Sequence, residues 1–403
     1  MSHVIVVGAG QAGASCVARL RTQGFDGDIT LIGEEPTPPY QRPPLSKAYL
    51  LGDMARERLF LRPPEFYDEH NITLRLGHPV TGIDATLQTV TVAGETLSYD
   101  ELVLTTGSTP RRLPAAIGGD LEGVMVVRGL ADVDAMAPFV KSGAKALIVG
   151  GGYIGLEAAA VASKLGLTVT LVEMADRILQ RVAAPETSSY FRDLHAAHGV
   201  DLREGVGLDH LTGREGAVAG AVLTDGTELD VDFVLAGVGI VPNTSLAEMA
   251  GVTLDNGIAT DAHGRTDVPH IWAAGDCASF PWKGQQLRLE SVGNAIDQAE
   301  CVADNILGHA RAYDAKPWFW SDQYDVKLQI AGLNTGYDHI VTRSGNTGVV
   351  SHWYYAGDQL LAIDAMNDPR AYMVGKRLIE MGKSPSPEAV HNTDTDLKEL
   401  LKA

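Results

Sequence analysis

Cysteine is nearly missing from this chain: Cys16, Cys277 and Cys301 are the three in 403 residues, and no two form a Cys-x-x-Cys pair. A dithiol active site and a disulfide framework are both excluded, and the thiols read as small buried hydrophobes. Histidine is thin in pattern too. His195 and His198 are spaced as helix neighbours, yet no acidic partners accompany them, so no metal site is expected. Long apolar runs are also lacking. The best candidate for a span, residues 146–162, is broken by a glycine turn and by Glu157, so no membrane partner is expected. Positive charge is in deficit, with 32 Lys and Arg against 51 Asp and Glu and a formal net charge of −19. Phosphate-backbone contact needs concentrated Lys and Arg, so no nucleic-acid partner is expected either. The N-terminus lacks a basic leader region, which with the missing span points to a cytoplasmic protein.

What the chain does have is glycine at two telling places. Gly8-Ala9-Gly10-Gln11-Ala12-Gly13 follows the apolar run Val4-Ile5-Val6-Val7, and Gly150-Gly151-Gly152-Tyr153-Ile154-Gly155 follows Ala146-Leu147-Ile148-Val149. Continuous apolar runs of this length form buried parallel strands, and helical spacing follows each turn. The first glycine (Gly8, Gly150) permits the tight turn. The second (Gly10, Gly152) lets a pyrophosphate approach the backbone, and the third (Gly13, Gly155) lets helix pack on strand. The helix N-terminus then presents free N–H groups to the anion. A further strand ends near an acid in each half, at Glu34 and at Glu173, where a carboxylate accepts ribose hydroxyl hydrogens; Glu35 competes with Glu34 for that role.

The duplication extends beyond the turns. Residues 89–107 read as a hairpin leading to a strand ending at Gly107, with Pro110 beyond it; residues 222–239 repeat that pattern up to Gly239 and Pro242. Two copies of one nucleotide-binding domain explain this economically. A short strand at residues 270–274, ending in Gly275-Asp276, has no counterpart between the copies, so the second copy is expected to be inserted into the first domain. The expected organisation is a discontinuous dinucleotide-binding domain at 1–109 and 243–316, a second dinucleotide-binding domain inserted at 110–242 and a C-terminal domain at 317–403. At 45% hydrophobic and 21% charged residues, composition and length suit two or three globular domains.

Five stretches carry a resemblance: Arg42-Pro43-Pro44-Leu45-Ser46-Lys47, the GGGYIGLE of Gly150–Glu157, Gly275-Asp276, Glu290-Ser291-Val292 and Trp318-Phe319-Trp320-Ser321-Asp322-Gln323. Over nearly its whole length the chain resembles the FAD-dependent NADH:ferredoxin reductases of bacterial monooxygenase and dioxygenase systems. That resemblance implies an α/β, glutathione-reductase-like fold of two Rossmann-type domains plus an α+β C-terminal domain. It makes the first turn the FAD site and the second the NADH site. It puts Ala12 at the FAD pyrophosphate, Glu34 at the adenosine ribose, Lys47 beside the flavin ring, and Val80 and Arg128 along the cofactor. Asp276 would hold the ribityl or pyrophosphate portion, Val292 would bring a helix N–H to the pyrimidine edge, and Trp320 would lie beside the ring. Arg42, Thr106, Gly107 and Gly275, with Tyr153, Ile154 and Gly239, complete the cofactor-binding set. Glu157 pairs with Lys47 in this family, and Lys47, Glu157 and Trp320 form the catalytic set. A cation and a helix N-terminus at a reduced, anionic flavin make physical sense independently, since both stabilise charge that appears on reduction.

The implied activity is reduction of a 2Fe-2S ferredoxin by NADH through FAD, one electron at a time, by a monomer. Disulfide reductases and NADH peroxidases of the same architecture need cysteine beside the flavin, and residues 41–51 have none. A relative of apoptosis-inducing factor with an interaction or signalling role is the alternative from another class; no long insertion or basic patch supports it. NADH over NADPH follows from Glu173, whose charge repels a 2′-phosphate, although Arg177 and Arg181 lie near it in sequence. An acidic ferredoxin would need a local basic patch, for which Arg288, Lys327, Arg343, Arg370, Lys376 and Arg377 are available.

Overall fold

In the computed structural model, which describes residues 2–402, strand β1 (His3–Val7) buries every residue after His3. A Val-Ile-Val-Val run does so when both faces of its sheet are covered. The first glycine turn leads into α1 (Gln11–Thr22), and β2 (Asp28–Gly33) and β3 (Ile72–Leu76) then line up parallel on one side of β1. Strand β4 (Glu101–Leu104) pairs parallel on the other side.

The chain next builds a second sheet from β5 (Val124–Met125), β6 (Lys145–Val149), α2 (Tyr153–Lys164), β7 (Thr168–Glu173), α3 (Pro185–Ala197), β8 (Asp201–Glu204) and β9 (Phe233–Ala236). Its order is β8-β7-β6-β9-β5. After that β10 (Ile271–Ala273) completes the first sheet as β10-β4-β1-β2-β3, and α4 (Val292–Ile306) packs on α1. Both sheets reverse direction of growth at their centre, between β1 and β4 and between β6 and β9. In open parallel sheets that point is where ligands bind, at the carboxyl ends of the strands. The hydrogen bonds repeat as well: Gly8 N donates to Ile32 O at 2.8 Å and Gly150 N to Val172 O at 2.9 Å. The strand at 271–273, without a counterpart in the sequence pattern, does have one in space. It is β5, two residues long and placed before its sheet rather than after it, which hides it from any repeat alignment.

The C-terminal residues form one antiparallel sheet of β11 (Trp318–Gln323), β12 (Val326–Gly332), β13 (His339–Ser344), β14 (Val350–Ala356) and β15 (Gln359–Met366), in the order β11-β12-β15-β14-β13. Helix α5 (Pro369–Glu380) is capped by Asp368, which accepts from Ala371 N at 2.9 Å, and it packs on β15 and β12. Trp353, Tyr355, Ile363 and Leu378 make the core there, each about 1.5–3 kcal/mol of burial.

Residues 1–42, 55–109 and 240–317 form one compact unit; residues 43–54, 110–239 and 318–403 form the other. Sequence pattern separates a C-terminal domain from an NADH-binding one, whereas here a single core joins them: Leu328 and Met366 lie in one buried cluster with Ile148, Leu156 and Phe191. The short segment Pro43–Met54 belongs to this second unit.

Candidate functional site

The glycine turns meet their steric demands in two ways. A Cβ on Gly8, at φ +116, would sit 2.2 Å from Thr105 O, and one on Gly13 would sit 2.0 Å from Gly8 O; Gly150 and Gly155 are as tightly closed. A Cβ on Gly10 or Gly152 would meet nothing within 4 Å. The helices that follow have no side-chain cap and no acid in their first turn. Each turn therefore leaves open space before uncapped backbone N–H groups, the arrangement that receives a phosphate.

The two acids differ more than their sequence positions suggest. Matching the Gly8–Ile32 and Gly150–Val172 hydrogen bonds aligns Glu173 with Gly33, so Glu34 lies one residue further on. Glu173 is tied down, its two oxygens accepting from Gly151 N at 2.7 Å and Ala175 N at 2.8 Å. Glu34 is exposed. Its competitor Glu35 is engaged, with Arg42 Nη2 at 2.6 Å and the Tyr40 hydroxyl at 2.5 Å. Arg42 thus serves Glu35.

Lys47 and Glu157 meet. The residues Leu45–Tyr49 form a π-helical turn against α2, a local widening often found where function requires a displaced side chain. Lys47 Nζ lies 2.9 Å from Glu157 Oε1 and 3.9 Å from Asp322 Oδ2. Glu157 stands in the second turn of α2, not at its tip, and is 6% exposed, so its role is not that of a helix-dipole carboxylate. Burial pushes its carboxyl up from the ordinary range, while Lys47 and the Ser321 hydroxyl, which donates to Oε1 at 2.8 Å, pull the other way. Trp318 and Trp320 alternate along β11 and stack at 5.4 Å between centroids; both are half-buried. Tyr153 packs its ring on Phe319 at 4.8 Å, and its buried hydroxyl has no hydrogen-bond partner. Ile154 is exposed.

Within the first unit, Asp276 follows β10 and accepts from Ser108 Oγ at 3.2 Å, while its carbonyl accepts from Arg288. A Cβ on Gly275 would come to 3.0 Å of the Ala12 side chain, which places Gly275 and Asp276 at the glycine turn. Thr106 and Gly107 are locked to Asn243: Thr106 Oγ1 donates to its carbonyl at 2.6 Å and Gly107 O accepts from its N–H at 2.9 Å. Val292 opens α4, where Ser291 caps Asn294 N. Val80 is half-buried on strand Val80–Asp84. In the second unit, Arg128 N is held by Asp132 at 2.9 Å and Gly239 O accepts from Arg111 N.

The thiols have no route to reactivity. All three are buried, burial pushes Cys16 up to about 12, and Cys277 and Cys301 are raised for the same reason. Among the described residues no cluster suits a metal ion and no helix is long and apolar enough to cross a membrane. The basic candidates for docking thin out. Arg343 is buried, donating to the carbonyls of Val390, Asn392, Thr393 and Thr395; Arg288, Arg370 and Lys376 are paired with Glu290, Asp396 and Glu380. Lys327 and Arg377 remain exposed.

Sequence reasoning names Ser321 and Gln323 only as parts of a motif, and misses that they sit at i and i+2 on the buried face of β11, both 0% exposed. The sequence carries no signal for this, since the burial of two polar residues on one strand face is visible only in the fold.

The chain is similar to known proteins over nearly its whole length. Residues 2–299 match the pyridine nucleotide-disulphide oxidoreductase family and residues 318–401 the reductase C-terminal family. Rhodocoxin reductase of Rhodococcus erythropolis is 42% identical over 399 residues, spanning 98% of this chain and 93% of that one. Putidaredoxin reductase of Pseudomonas putida is 40% identical over 410 residues, spanning 100% and 97%. Among solved structures, the covalent putidaredoxin reductase–putidaredoxin complex matches with a TM-score of 0.96 at 39% identity, over 100% of this chain and 98% of that one.

Proposed function

The chain belongs to the pyridine nucleotide-disulphide oxidoreductases, in their ferredoxin reductase branch, and from that premise we infer that it carries electrons from NADH through FAD, singly, to a 2Fe-2S ferredoxin serving a monooxygenase or dioxygenase. The observation that carries this reading is the Lys47–Glu157 ion pair at 2.9 Å in a segment without cysteine. A reductase of disulfides needs a thiolate at that place.

The residues present fit two dinucleotides. Both glycine turns offer open space before an uncapped helix N-terminus, which suits a pyrophosphate. We assign FAD to residues 1–109 and 243–316 and NADH to 110–242, with 317–403 as the C-terminal domain. FAD, when bound, accepts a two-electron equivalent from NADH and releases it in single-electron steps. The chain's contribution is to bind, orient and tune. Gly8, Gly10, Ala12 and Gly13 receive the FAD pyrophosphate and exposed Glu34 the ribose. Asp276, with Gly275, Thr106 and Gly107, orients the chain of the cofactor, and Val292 points the start of α4 at its pyrimidine edge. Arg42 steadies this side through Glu35, and Val80 and Arg128 would lie along the cofactor. Lys47 keeps a proton at Nζ, Glu157 holds that ammonium in place, and Trp320 covers the ring. Gly150, Gly152, Tyr153, Ile154, Gly155 and Gly239 frame the NADH site, with Glu173 at its ribose. We place the reaction in the cytoplasm, where NADH is supplied.

Stopped-flow absorbance tests the proposal. NADH is expected to bleach the bound flavin at least as fast as turnover, and a purified 2Fe-2S ferredoxin then to be reduced; a flavin that NADH bleaches more slowly than turnover overturns it.

A further inference from the structure

A row of buried polar side chains runs from the Lys47–Glu157 pair to the far side of β11, within the second unit. Ser321 Oγ donates to Glu157 Oε1 at 2.8 Å, Gln323 Nε2 to Ser321 Oγ at 3.1 Å, and His195 Nε2 lies 2.8 Å from Gln323 Oε1. The Tyr324 hydroxyl lies 3.1 Å from His195 Nδ1. Ser321, Gln323 and His195 are each 0% exposed, whereas His198, stacked on Tyr324 at 3.6 Å, is exposed. Such an investment of buried polar groups is costly unless every member is satisfied.

The charge at one end dictates the direction of every bond. A serine hydroxyl has one hydrogen, and beside a carboxylate that hydrogen goes to the carboxylate. Ser321 Oγ must therefore accept from Gln323, which turns the amide so that its oxygen faces His195. That oxygen can only accept, so His195 Nε2 carries a hydrogen. Burial lowers the His195 ring to about 4, leaving it neutral with Nδ1 bare, and Nδ1 accepts from Tyr324. All four donors point toward Glu157.

We propose that Ser321, Gln323 and His195 are positioning residues, a one-way chain of donors that keeps Glu157 ionised in a buried place and thereby fixes the Lys47 ammonium charge. The groups facing Glu157 are Lys47 and Ser46 from the π-turn, Ser321 and Asp322 from β11, and Tyr153 from its own helix. Lys47 alone offsets its charge, and Asp322 opposes it. Without the Ser321 donor, Glu157 takes up a proton at higher pH and leaves Lys47⁺ with only the more distant Asp322, at 3.9 Å, to balance it. The redox consequence rests on reading Lys47 as a flavin-side residue; the polarity of the chain does not.

Two measurements on the holoprotein test this separately. Nitrogen-15 spectra of histidine-labelled protein should show His195 neutral, with its hydrogen on Nε2, throughout about pH 5.5–8.5. Hydrogen on Nδ1, or a cationic ring, overturns the chain. In Ser321→Ala the Glu157 carboxyl titration, read by carbon-13 NMR, should move up by roughly one to two pH units, and Ser321→Thr should restore it; an unmoved titration also overturns the proposal. Gln323→Met, which leaves the hydroxyl without its donor, should move it the same way by less, and serves if Ser321→Ala fails to hold FAD. The bend in a plot of flavin reduction potential against pH should follow the carboxyl. If the carboxyl moves and the potential does not, it is the flavin-side reading of Lys47 that falls, while the donor chain stands.

Discussion

Thr187 Oγ1 donates to Asp364 Oδ2 at 2.8 Å, joining α3 to β15 across 177 positions of sequence. The Tyr354 hydroxyl donates to the same oxygen and accepts from Ala184 N at 3.0 Å. Asp364 is 1% exposed and faces no cation among the described hydrogen bonds and ion pairs, so burial pushes its carboxyl up to about 6 from an ordinary 3.8.

A carboxyl raised in the folded state makes the protein more stable as pH falls. The folded chain binds the proton more tightly than the unfolded one, so the contribution is lost as pH rises from about 4 through 6, on the order of 3 kcal/mol in all. Asp364→Asn should retain the fold and remove this segment of pH dependence. Melting temperatures at pH 4.5 and 7 for both proteins check it: going from pH 7 to 4.5 should raise the melting temperature less, or lower it more, in the variant than in the wild type, the other groups being common to both.

Lys47→Met strands a buried carboxylate and should destabilise the protein by about 3–5 kcal/mol. Adding Glu157→Leu removes the stranded charge and should recover most of that loss. NADH-driven ferredoxin reduction should stay depressed in the double variant, on the order of 100-fold. Denaturation and turnover measured across the four proteins of the cycle separate the two effects.

Gly8→Ala and Gly10→Ala should fail differently. The first puts a Cβ 2.2 Å from a backbone oxygen and should impair folding of the first unit; the second meets open space in the chain itself. Gly10→Ala should therefore fold with near-normal helix content yet purify without FAD. Circular dichroism and the flavin absorbance of the purified protein distinguish them.

Glu173 should set the choice of nucleotide. NADH is expected to have the higher kcat/KM, and Glu173→Ala to narrow its advantage over NADPH by roughly tenfold, about 1.4 kcal/mol of discrimination. Arg177 is committed to Ser188 Oγ at 2.6 Å, so the counter-charge near the site is exposed Arg181. Equal kcat/KM values in the wild type would remove Glu173 from this role.

Arg343→Ala should loosen the C-terminal segment rather than weaken ferredoxin docking, because its guanidinium holds four backbone carbonyls and is 9% exposed. Stranding those acceptors should cost about 2–4 kcal/mol. Hydrogen exchange over residues 385–402 should rise, with the salt dependence of ferredoxin reduction unchanged.

The strands, the glycine turns and the Lys47–Glu157 partnership were legible because each leaves a local mark: an apolar run, a spacing, a motif. Strand β5 left none, since two residues carry no period. Arg343 reads as a surface cation until its four carbonyl partners, all 47 or more positions away, are known. Glu34 and Glu173 looked equivalent because a one-residue offset is invisible without the hydrogen bonds that set the frame. His195 stood apart in sequence from Gln323 by 128 positions, and only the fold joins them.

The pairing of β4 with β10 has a consequence for the chain as it is made. Ile271 finds Leu102 as its partner, 169 residues later in synthesis. At roughly 5–20 residues per second the ribosome leaves one edge of the first sheet open for about 10–30 s. The second parallel sheet can close meanwhile, because its strands are contiguous in the chain. The nascent protein thus closes its inner sheet before its outer one, although the core on that inner sheet still waits for Leu328 and Met366, and the exposed β4 edge is what a chaperone would have to guard.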